Sequence, residues 1–396
     1  MKKWISAWLC MLFSLSPLIA QDGVEIFGYF ESQIMGTKLN NDFIQLYSNK
    51  LRLDLKSNLS KNITFAANFN YITYHGKTKW NILDFLPTDA VAEVPSGMEA
   101  FYVLPFENRH FLDNAFIKLS FKHFDLTVGK QQVSLGTGYV WNPMDVFNIK
   151  DVLDPTYEQP GHNAIRLDVP LGSMYTVTAL FSPEDNWENS AKLIQLKGRI
   201  SHFDYSLTAI EKIWRFHDYM QFDLDNMNFL ELPERRKLLG ASTAGELLGL
   251  GVWAEYAYSW MEVSEDFYEL VVGTDYTFDF QTYLMIEYYR NTLGKTDYTQ
   301  YNLNDWMRLL TTEQKAISRD QIYLFIQHPA TDLLNIGLST IYGLSDNSFA
   351  LIPTMNYSFS DNVEIFAYLN LNFGSEGKVF SRKMGNGGLI RVRAYF

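Results

Sequence analysis

The chain has 396 residues, a formal net charge of −12, and 16% aromatic residues, including 24 Tyr and 29 Phe. Such acidity excludes a nucleic-acid partner, since neutralising phosphates needs a basic surface. Beyond the first twenty residues no apolar run reaches the roughly 18 residues of a membrane-spanning helix, which excludes a helical membrane protein.

In chain order, Lys2 and Lys3 precede an apolar run from Trp4 to Ala20, the pattern of a secretory signal peptide cut after Ala20. Residues 1–20 are therefore read as a signal and 21–396 as a single domain. The one cysteine, Cys10, falls inside the signal, and Leu9 before it does not fit a lipoprotein box, so the mature chain has no disulfide or thiolate chemistry. No cofactor or metal is expected.

From Val24 onward the sequence breaks into about eighteen short segments that alternate apolar and polar positions, the period of a strand with two unlike faces. The first run is Val24 to Met35, then Asn49 to Ser57, Ile63 to Tyr74, His110 to Phe121, Phe124 to Val133 and Asn163 to Leu171. Met174 to Phe181, Ala191 to Ile200, Phe203 to Trp214, Arg236 to Ala244, Leu248 to Trp260 and Phe267 to Phe278 follow. The last are Gln281 to Asn291, Gln321 to Gln327, Leu333 to Tyr342, Phe349 to Phe359, Val363 to Phe373 and Gly388 to Phe396. Pro353 interrupts one of these and predicts a bulge or a displaced boundary, because proline removes a ladder donor.

Every second link is tight: Leu59 to Asn62, Lys122-His123, Gly172-Ser173, Ser201-His202, Ala244 to Leu247, Asp279-Phe280, Pro329 to Asp332 and Ser360 to Asn362. The remaining links include long ones, Gly76 to Arg109, Ser134 to His162, Arg215 to Arg235 and Thr292 to Asp320. An even strand number with alternating short and long links is the rhythm of a transmembrane antiparallel β-barrel, with its short turns in the periplasm and its long loops outside. Phe121, Phe124, Phe278, Phe280, Tyr357, Phe359 and Phe396 flank the short turns and predict an aromatic girdle. A soluble sandwich or propeller would also alternate, but it needs neither this link rhythm nor a signal peptide.

The final segment carries the same message. Ile390, Val392, Ala394 and Phe396 share one face, and Arg391, Arg393 and Tyr395 the other. The first row suits lipid and contact with the barrel assembly machinery, with Phe396 needed for assembly; the second suits water.

After Val128-Gly129-Lys130-Gln131-Gln132-Val133-Ser134-Leu135, the chain reaches Gly136 and Gly138, which permit backbone angles closed to other residues, and then a turn at Asn142-Pro143. The stretch 136–161 is long enough to fold into a barrel and narrow it, with an external flap as the alternative. Together with Trp141, Asn142, Pro143 and Asp145, this segment resembles a pattern in outer-membrane porins of the alginate-export and related β-barrel porin families. Leu135 stands where those families often have tryptophan. The resemblance implies the porin class and an inward-folded third loop, and it allows transport of an anionic oligosaccharide or polymer.

Assigning apolar rows to lipid leaves the other rows for the lumen. A charge on the lipid face costs about 2–4 kcal/mol near the midplane, so inward placement is the default. One arc is then basic, with Lys50, Arg52, Lys56, Lys118, Arg166, Lys197, Arg199, Arg391 and Arg393 against Glu25, Asp54 and Asp168. The other is acidic, with Glu255, Glu269, Asp275, Glu287 and Glu364. Facing arcs of opposite sign predict a field across the lumen that orients polar solutes. The alternative is local pairing, such as Arg52 with Asp54 or Arg166 with Asp168.

The seven histidines lack the nucleophile and orienting partner that an outer-membrane hydrolase requires, and no metal or phosphate-loop motif occurs. Asp84, Asp89 and Glu93 could hold calcium or form a solvated loop. The sequence thus predicts a passive, non-enzymatic channel in a Gram-negative outer membrane for small polar or anionic solutes. A polymer exporter and a hydrophobic-solute transporter are the alternatives, and oligomeric state is not encoded legibly.

Overall fold

The computed structural model describes residues 23–39, 42–150 and 158–396. The predicted signal at 1–20 lies outside the described residues.

Eighteen antiparallel strands form one closed sheet. We number them in chain order: β1 Val24–Leu39, β2 Asp42–Ser60, β3 Ile63–Gly76, β4 Arg109–Ser120, β5 Asp125–Gln132, β6 Gly161–Leu171, β7 Tyr175–Ser182, β8 Ala191–Ile200 and β9 Phe203–Asp223. The other half comprises β10 Asn228–Leu247, β11 Leu250–Met261, β12 Phe267–Thr277, β13 Tyr283–Asn291, β14 Asp320–Thr331, β15 Leu334–Gly343, β16 Ser348–Ser360, β17 Val363–Phe373 and β18 Asn386–Tyr395. Each strand pairs with its sequence neighbours. β18 closes the sheet on β1, with Tyr29 opposite Tyr395 and Lys38 opposite Asn386. Gly28 and Phe396 complete that seam by exchanging both backbone hydrogen bonds at 3.1 Å. Closure leaves no edge strand, which is the condition for a sheet to sit in lipid.

The alternation is turned inside out relative to a soluble protein. Ile26, Phe30 and Ile34 stand exposed, while Tyr29 and Glu31 between them are buried. Ile390, Val392 and Phe396 are likewise exposed, and Arg391 is buried. At the short-turn end, Phe121 stacks on Phe124 at 4.6 Å and Phe278 on Phe280 at 5.1 Å, with Phe121, Phe280, Phe359 and Phe396 all exposed. These exposed aromatics stand where the sequence places a girdle.

Four expectations need correction. The link Arg215 to Arg235 is no loop: β9 and β10 run on as a ribbon to Phe222 opposite Phe229 and Asp223 opposite Asn228, with one irregularity near Asp218. β1 and β2 also extend beyond the expected Met35 and Asn49, reaching Leu39 opposite Asp42. Both ribbons keep apolar side chains at and beyond the expected ends, Phe216 opposite Leu232 in one and Met35 opposite Leu46 in the other, mixed with polar ones such as Asp218 and Lys38. The turn expected at Ala244 to Leu247 lies instead at Leu248-Gly249, both with positive φ (55° and 80°). Two such residues form the hairpin turn whose twist matches its strands, but leucine in the first place hides it. Pro353 produces no bulge. It sits opposite Leu338, and the β16–β17 register is the same on either side, from Leu351–Leu371 to Thr354–Tyr368.

At the long-loop end the interior is packed. Residues 77–108 contribute a small ribbon (Lys79–Asn81 with Val103–Pro105) and α1, Thr88–Ala92; residues 292–319 contribute α2, Leu303–Leu310. Leu86, Tyr102, Leu303, Trp306 and Met307 from these loops form one buried cluster with inward residues of the wall, among them Tyr289, Ile341 and Ile352. Glu93 accepts the Leu303 N–H at the start of α2 at 2.9 Å. Among the described residues, no group of three His, Cys, Asp or Glu side chains is placed to hold a metal ion, Asp84, Asp89 and Glu93 included.

Candidate functional site

Leaving β5 at Gln132, the chain turns inward. Val133, Leu135, Met144 and Phe147 pack on Ala164, Leu180, Leu193, Ile210, Leu238 and Ala257, the inward apolar residues of β6 to β11. Burying each such side chain stabilises by roughly 1.5–3 kcal/mol, so the third loop is held as a core is held. The external-flap alternative is not what these contacts describe. Residues 151–157 of the loop lie outside the described residues.

Polar anchoring comes from the acidic arc. Glu255 on β11 accepts the backbone N–H groups of Thr137 at 2.7 Å, Gly138 at 3.3 Å and Met144 at 2.6 Å. Glu287 on β13 accepts those of Tyr139 at 2.6 Å, Val140 at 2.9 Å and Trp141 at 3.1 Å, plus the Trp253 indole at 2.7 Å. Hydrogen bonds to a charged group contribute about 1.5–3 kcal/mol each, and an ionised carboxylate is an acceptor only. A looping backbone with several free N–H groups is its natural complement. The two glycines make the approach possible. A Cβ on Gly136 (φ 86°) would lie 2.3 Å from a Glu255 oxygen, and one on Gly138 would lie 1.8 Å from the Trp141 carbonyl.

The rest of the motif has definite roles. Trp141 stacks on Tyr289 at 5.0 Å with planes 7° apart. The carbonyls of Asn142 and Pro143 accept from Lys315 Nζ, at 2.7 and 3.3 Å. Asp145 accepts the Phe147 and Asn148 N–H groups at 3.1 and 3.0 Å, closing the turn that follows Pro143. Glu269 completes the set, taking Arg236 at 3.1 Å, Lys315 at 3.2 Å and the Tyr289 hydroxyl at 2.7 Å.

The predicted acidic arc is thus only partly a lumen wall. Glu255, Glu269 and Glu287 point inward, but into the third loop and its supports, and their exposures are 1%, 2% and 0%. Asp275 accepts the Tyr283 hydroxyl at 2.8 Å and Glu364 the Tyr395 hydroxyl at 3.1 Å. Basic side chains that the inward-row reading missed complete this side: Arg236, Lys315, and Lys212, which donates to the Val146 carbonyl at 2.7 Å.

The basic arc is organised differently. Lys118 pairs with Asp125 at 2.8 Å, Arg166 with Asp168 at 2.8 Å and Arg199 with Asp204 at 2.7 Å, each a local cross-strand or same-strand pair. Among the described residues, Lys56 and Lys197 make no ion pair within 4.0 Å. Lys50 and Arg52 on β2 and Arg391 and Arg393 on β18, the two strands that flank β1, come together around Glu31, Asp54 and Asp113. Into this group reaches Glu158, from the far end of the third loop, with Lys50 at 2.6 Å, Arg393 at 3.0 Å and the Tyr29 hydroxyl at 2.7 Å. Burial alone would raise the Glu158 pKa, but the charge and hydrogen bond of Lys50, the Tyr29 hydroxyl and Arg393 outweigh it and hold the carboxyl down to about 2. The third loop therefore touches both arcs, with residues 137–144 on the acidic one and Glu158 on the basic one.

Sequence reasoning missed Tyr29, Glu31, Asp113 and Glu158. Tyr29 and Glu31 lie on the same inward row as Glu25 and were open to the same parity reading; Glu158 lies in a loop, where no period exists to place it.

No protein-family model matches the chain, and no curated protein matches it in sequence. Solved structures do match in shape. OccAB4 of Acinetobacter baumannii superposes with a TM-score of 0.56 at 11% identity, covering 95% of this chain and 98% of that one. A triple mutant of the porin of Rhodopseudomonas blastica gives 0.46 at 14% identity, covering 94% and 100%. A loop-deleted form of OmpT, an outer-membrane protein of Vibrio cholerae, gives 0.48 at 10% identity, covering 94% and 99%. The chain has the fold of an outer-membrane porin: a closed barrel of 18 antiparallel strands.

Proposed function

We propose that the protein is a passive porin of a Gram-negative outer membrane, selecting small polar solutes with a preference for anions, and narrowed by the third loop at 136–161. The observation that carries the reading is the unequal fate of the two charged arcs. Glu255, Glu269 and Glu287 are held by the loop and its supports and sealed from water, whereas Lys50, Arg52, Lys56, Lys197 and Arg393 line the side the loop leaves more open. Field lines in a narrow wet channel are set by charges that water and solutes can approach. With these acids covered, Lys56 and Lys197, which make no ion pair within 4.0 Å among the described residues, give the basic side its surplus of positive charge.

Transport needs no covalent step on this reading; solutes diffuse down their gradient past the loop. The apolar inner surface of β12–β16 argues little for a hydrophobic-solute path, because residues 77–108 and 292–319 cover it. An anionic polymer or oligosaccharide moving along the basic arc is the finer version of the same reading, consistent with the resemblance of residues 128–148 to alginate-export porins.

The test is single-channel recording in planar bilayers. A KCl gradient should give a reversal potential of anion-preferring sign, and Lys197→Glu with Arg52→Glu should move it toward cations. Shortening the loop between Gly136 and Gly161 should raise conductance while the barrel stays heat-modifiable. Unchanged conductance in a folded, shortened protein would remove the third loop as the constriction.

A further inference from the structure

We propose that Tyr29, Lys50, Arg52 and Arg393 form a binding station for the carboxylate group of a permeating organic acid, which there takes the place of the Glu158 carboxylate. This rests on the reading of the protein as an anion-preferring porin and names its solute class.

Four donors on β1, β2 and β18 converge on one carboxylate, and they divide two and two. Oε1 accepts from the Tyr29 hydroxyl at 2.7 Å and from Arg393 at 3.0 Å; Oε2 accepts from Lys50 at 2.6 Å and from Arg52 at 3.5 Å. Two oxygens each with two donors is the geometry of a planar carboxylate, not of a tetrahedral oxyanion.

The donors are fixed independently of their occupant. Arg52 is held by Asp54 at 3.0 Å and Arg393 by Glu31 at 2.6 Å. The Tyr29 ring lies under both Lys50 and Arg393, at 5.4 and 4.0 Å. The fixed acids Glu31, Asp54 and Asp113 leave the cations Lys50, Arg52, Arg391 and Arg393 with one positive charge in excess, which Glu158 cancels. Glu158 is also the reachable member: its side chain is 34% exposed, against 16% for Lys50, 18% for Arg52 and 14% for Arg393. The wall thus carries a preorganised single-carboxylate site whose resident ligand comes from a loop and faces water. A solute carboxylate competes for it on equal chemical terms, and its apparent affinity is lowered by the fraction of time Glu158 occupies the site.

The probe is benzoate, added to the full-length barrel conducting KCl in planar bilayers, with sulfate as the tetrahedral control. Glu158→Gln keeps the side-chain shape but drops the competing charge, and should lower the half-blocking benzoate concentration about tenfold. Lys50→Gln, whose residue meets no other acid within 4.0 Å among the described residues, should raise it about tenfold through loss of one charged hydrogen bond. Calorimetric titration of benzoate into the detergent-folded proteins reads the same ordering without relying on current. Equal benzoate affinity in wild type, Glu158→Gln and Lys50→Gln overturns the station while leaving the reversal potential to judge anion preference separately. Sulfate binding with the same dependence on both variants overturns the carboxylate assignment. A cation-preferring wild type sinks the porin reading, and the calorimetry still decides the site.

Discussion

β11 and β13 on one side of the barrel and β18, β1 and β2 on the other each present a row of charge to the interior, yet the two rows end in opposite states. Glu255 and Glu287 are 1% and 0% exposed and are bonded to main-chain N–H groups; Lys50, Arg52 and Arg393 remain partly exposed and meet carboxylate side chains. Donor chemistry explains the difference. The loop at residues 137–144 offers free N–H groups, which only an acceptor can satisfy, so the wall acids Glu255 and Glu287 capture them, while Lys315 takes the Asn142 and Pro143 carbonyls. On the β11–β13 side charge becomes mechanical anchorage sealed from water, and on the β18–β1–β2 side it meets the Glu158 carboxylate and stays partly exposed.

The comparison breaks most violently if the anchors are removed. In a protein with Glu255→Ala and Glu287→Ala, the N–H groups of Thr137, Gly138, Tyr139, Val140, Trp141 and Met144 lose their acceptors. Each costs about 1–3 kcal/mol if it stays buried, so the loop should leave the wall. Larger, noisier conductance and rapid proteolysis within 136–161 are expected; a quiet channel of parental conductance would mean the apolar contacts alone suffice.

A smaller effect concerns the seam of the basic arc. Phe396→Asp keeps the backbone pairing with Gly28 but places a charge among exposed aromatics at the short-turn end, where it costs up to about 1 kcal/mol near an interface. The yield of heat-modifiable, folded barrel should fall. Wild-type yield would show that the apolar row of Ile390, Val392 and Ala394 directs assembly without it.

Charge reversal sharpens the asymmetry. Arg391→Glu with Arg393→Glu should shift the reversal potential toward cations, whereas Asp275→Asn on the opposite arc should leave it nearly unchanged. Equal shifts from both arcs would mean that the acidic arc is as open to permeating ions as the basic one.

The smallest effect is on pH. The Glu158 carboxyl is held at about 2, below its ordinary value, and faces Tyr29, Lys50, Arg52 and Arg393, with Glu31 behind Arg393. A depressed acid contributes stability that is present above its unfolded pKa and lost as pH falls through the folded one. The contact between loop and basic arc should therefore contribute constantly from pH 8 to about pH 5 and weaken progressively from there to about pH 2. Conductance compared with Glu158→Gln, which lacks the titrating group, checks this; identical pH profiles would discount the contact.

The sequence made the wall legible because a strand between lipid and water must alternate, and every one of the eighteen strands does so over at least part of its length. Where that two-sided environment ends, legibility ends too. The β9–β10 ribbon loses its regular period near Asp218 and reads as a loop, and Leu248 in the first place hides the turn at Leu248-Gly249. In the third loop, Gly136, Gly138 and Asn142-Pro143 marked a sharp departure from the wall, and the structure shows that the glycines clear space for Glu255 and for the Trp141 carbonyl.

The sequence by itself thus determined the strands, their alternation, the row on which each charge sits and the place where the chain leaves the wall, because these depend on near neighbours and on a period of two. Only the tertiary structure decided what each inward charge meets. Glu255 lies 118 residues from Thr137 along the chain, and Arg393 lies 235 from Glu158. No local period encodes such meetings; they arise when a closed barrel brings distant strands around a loop whose N–H groups and one carboxylate require partners of opposite kind.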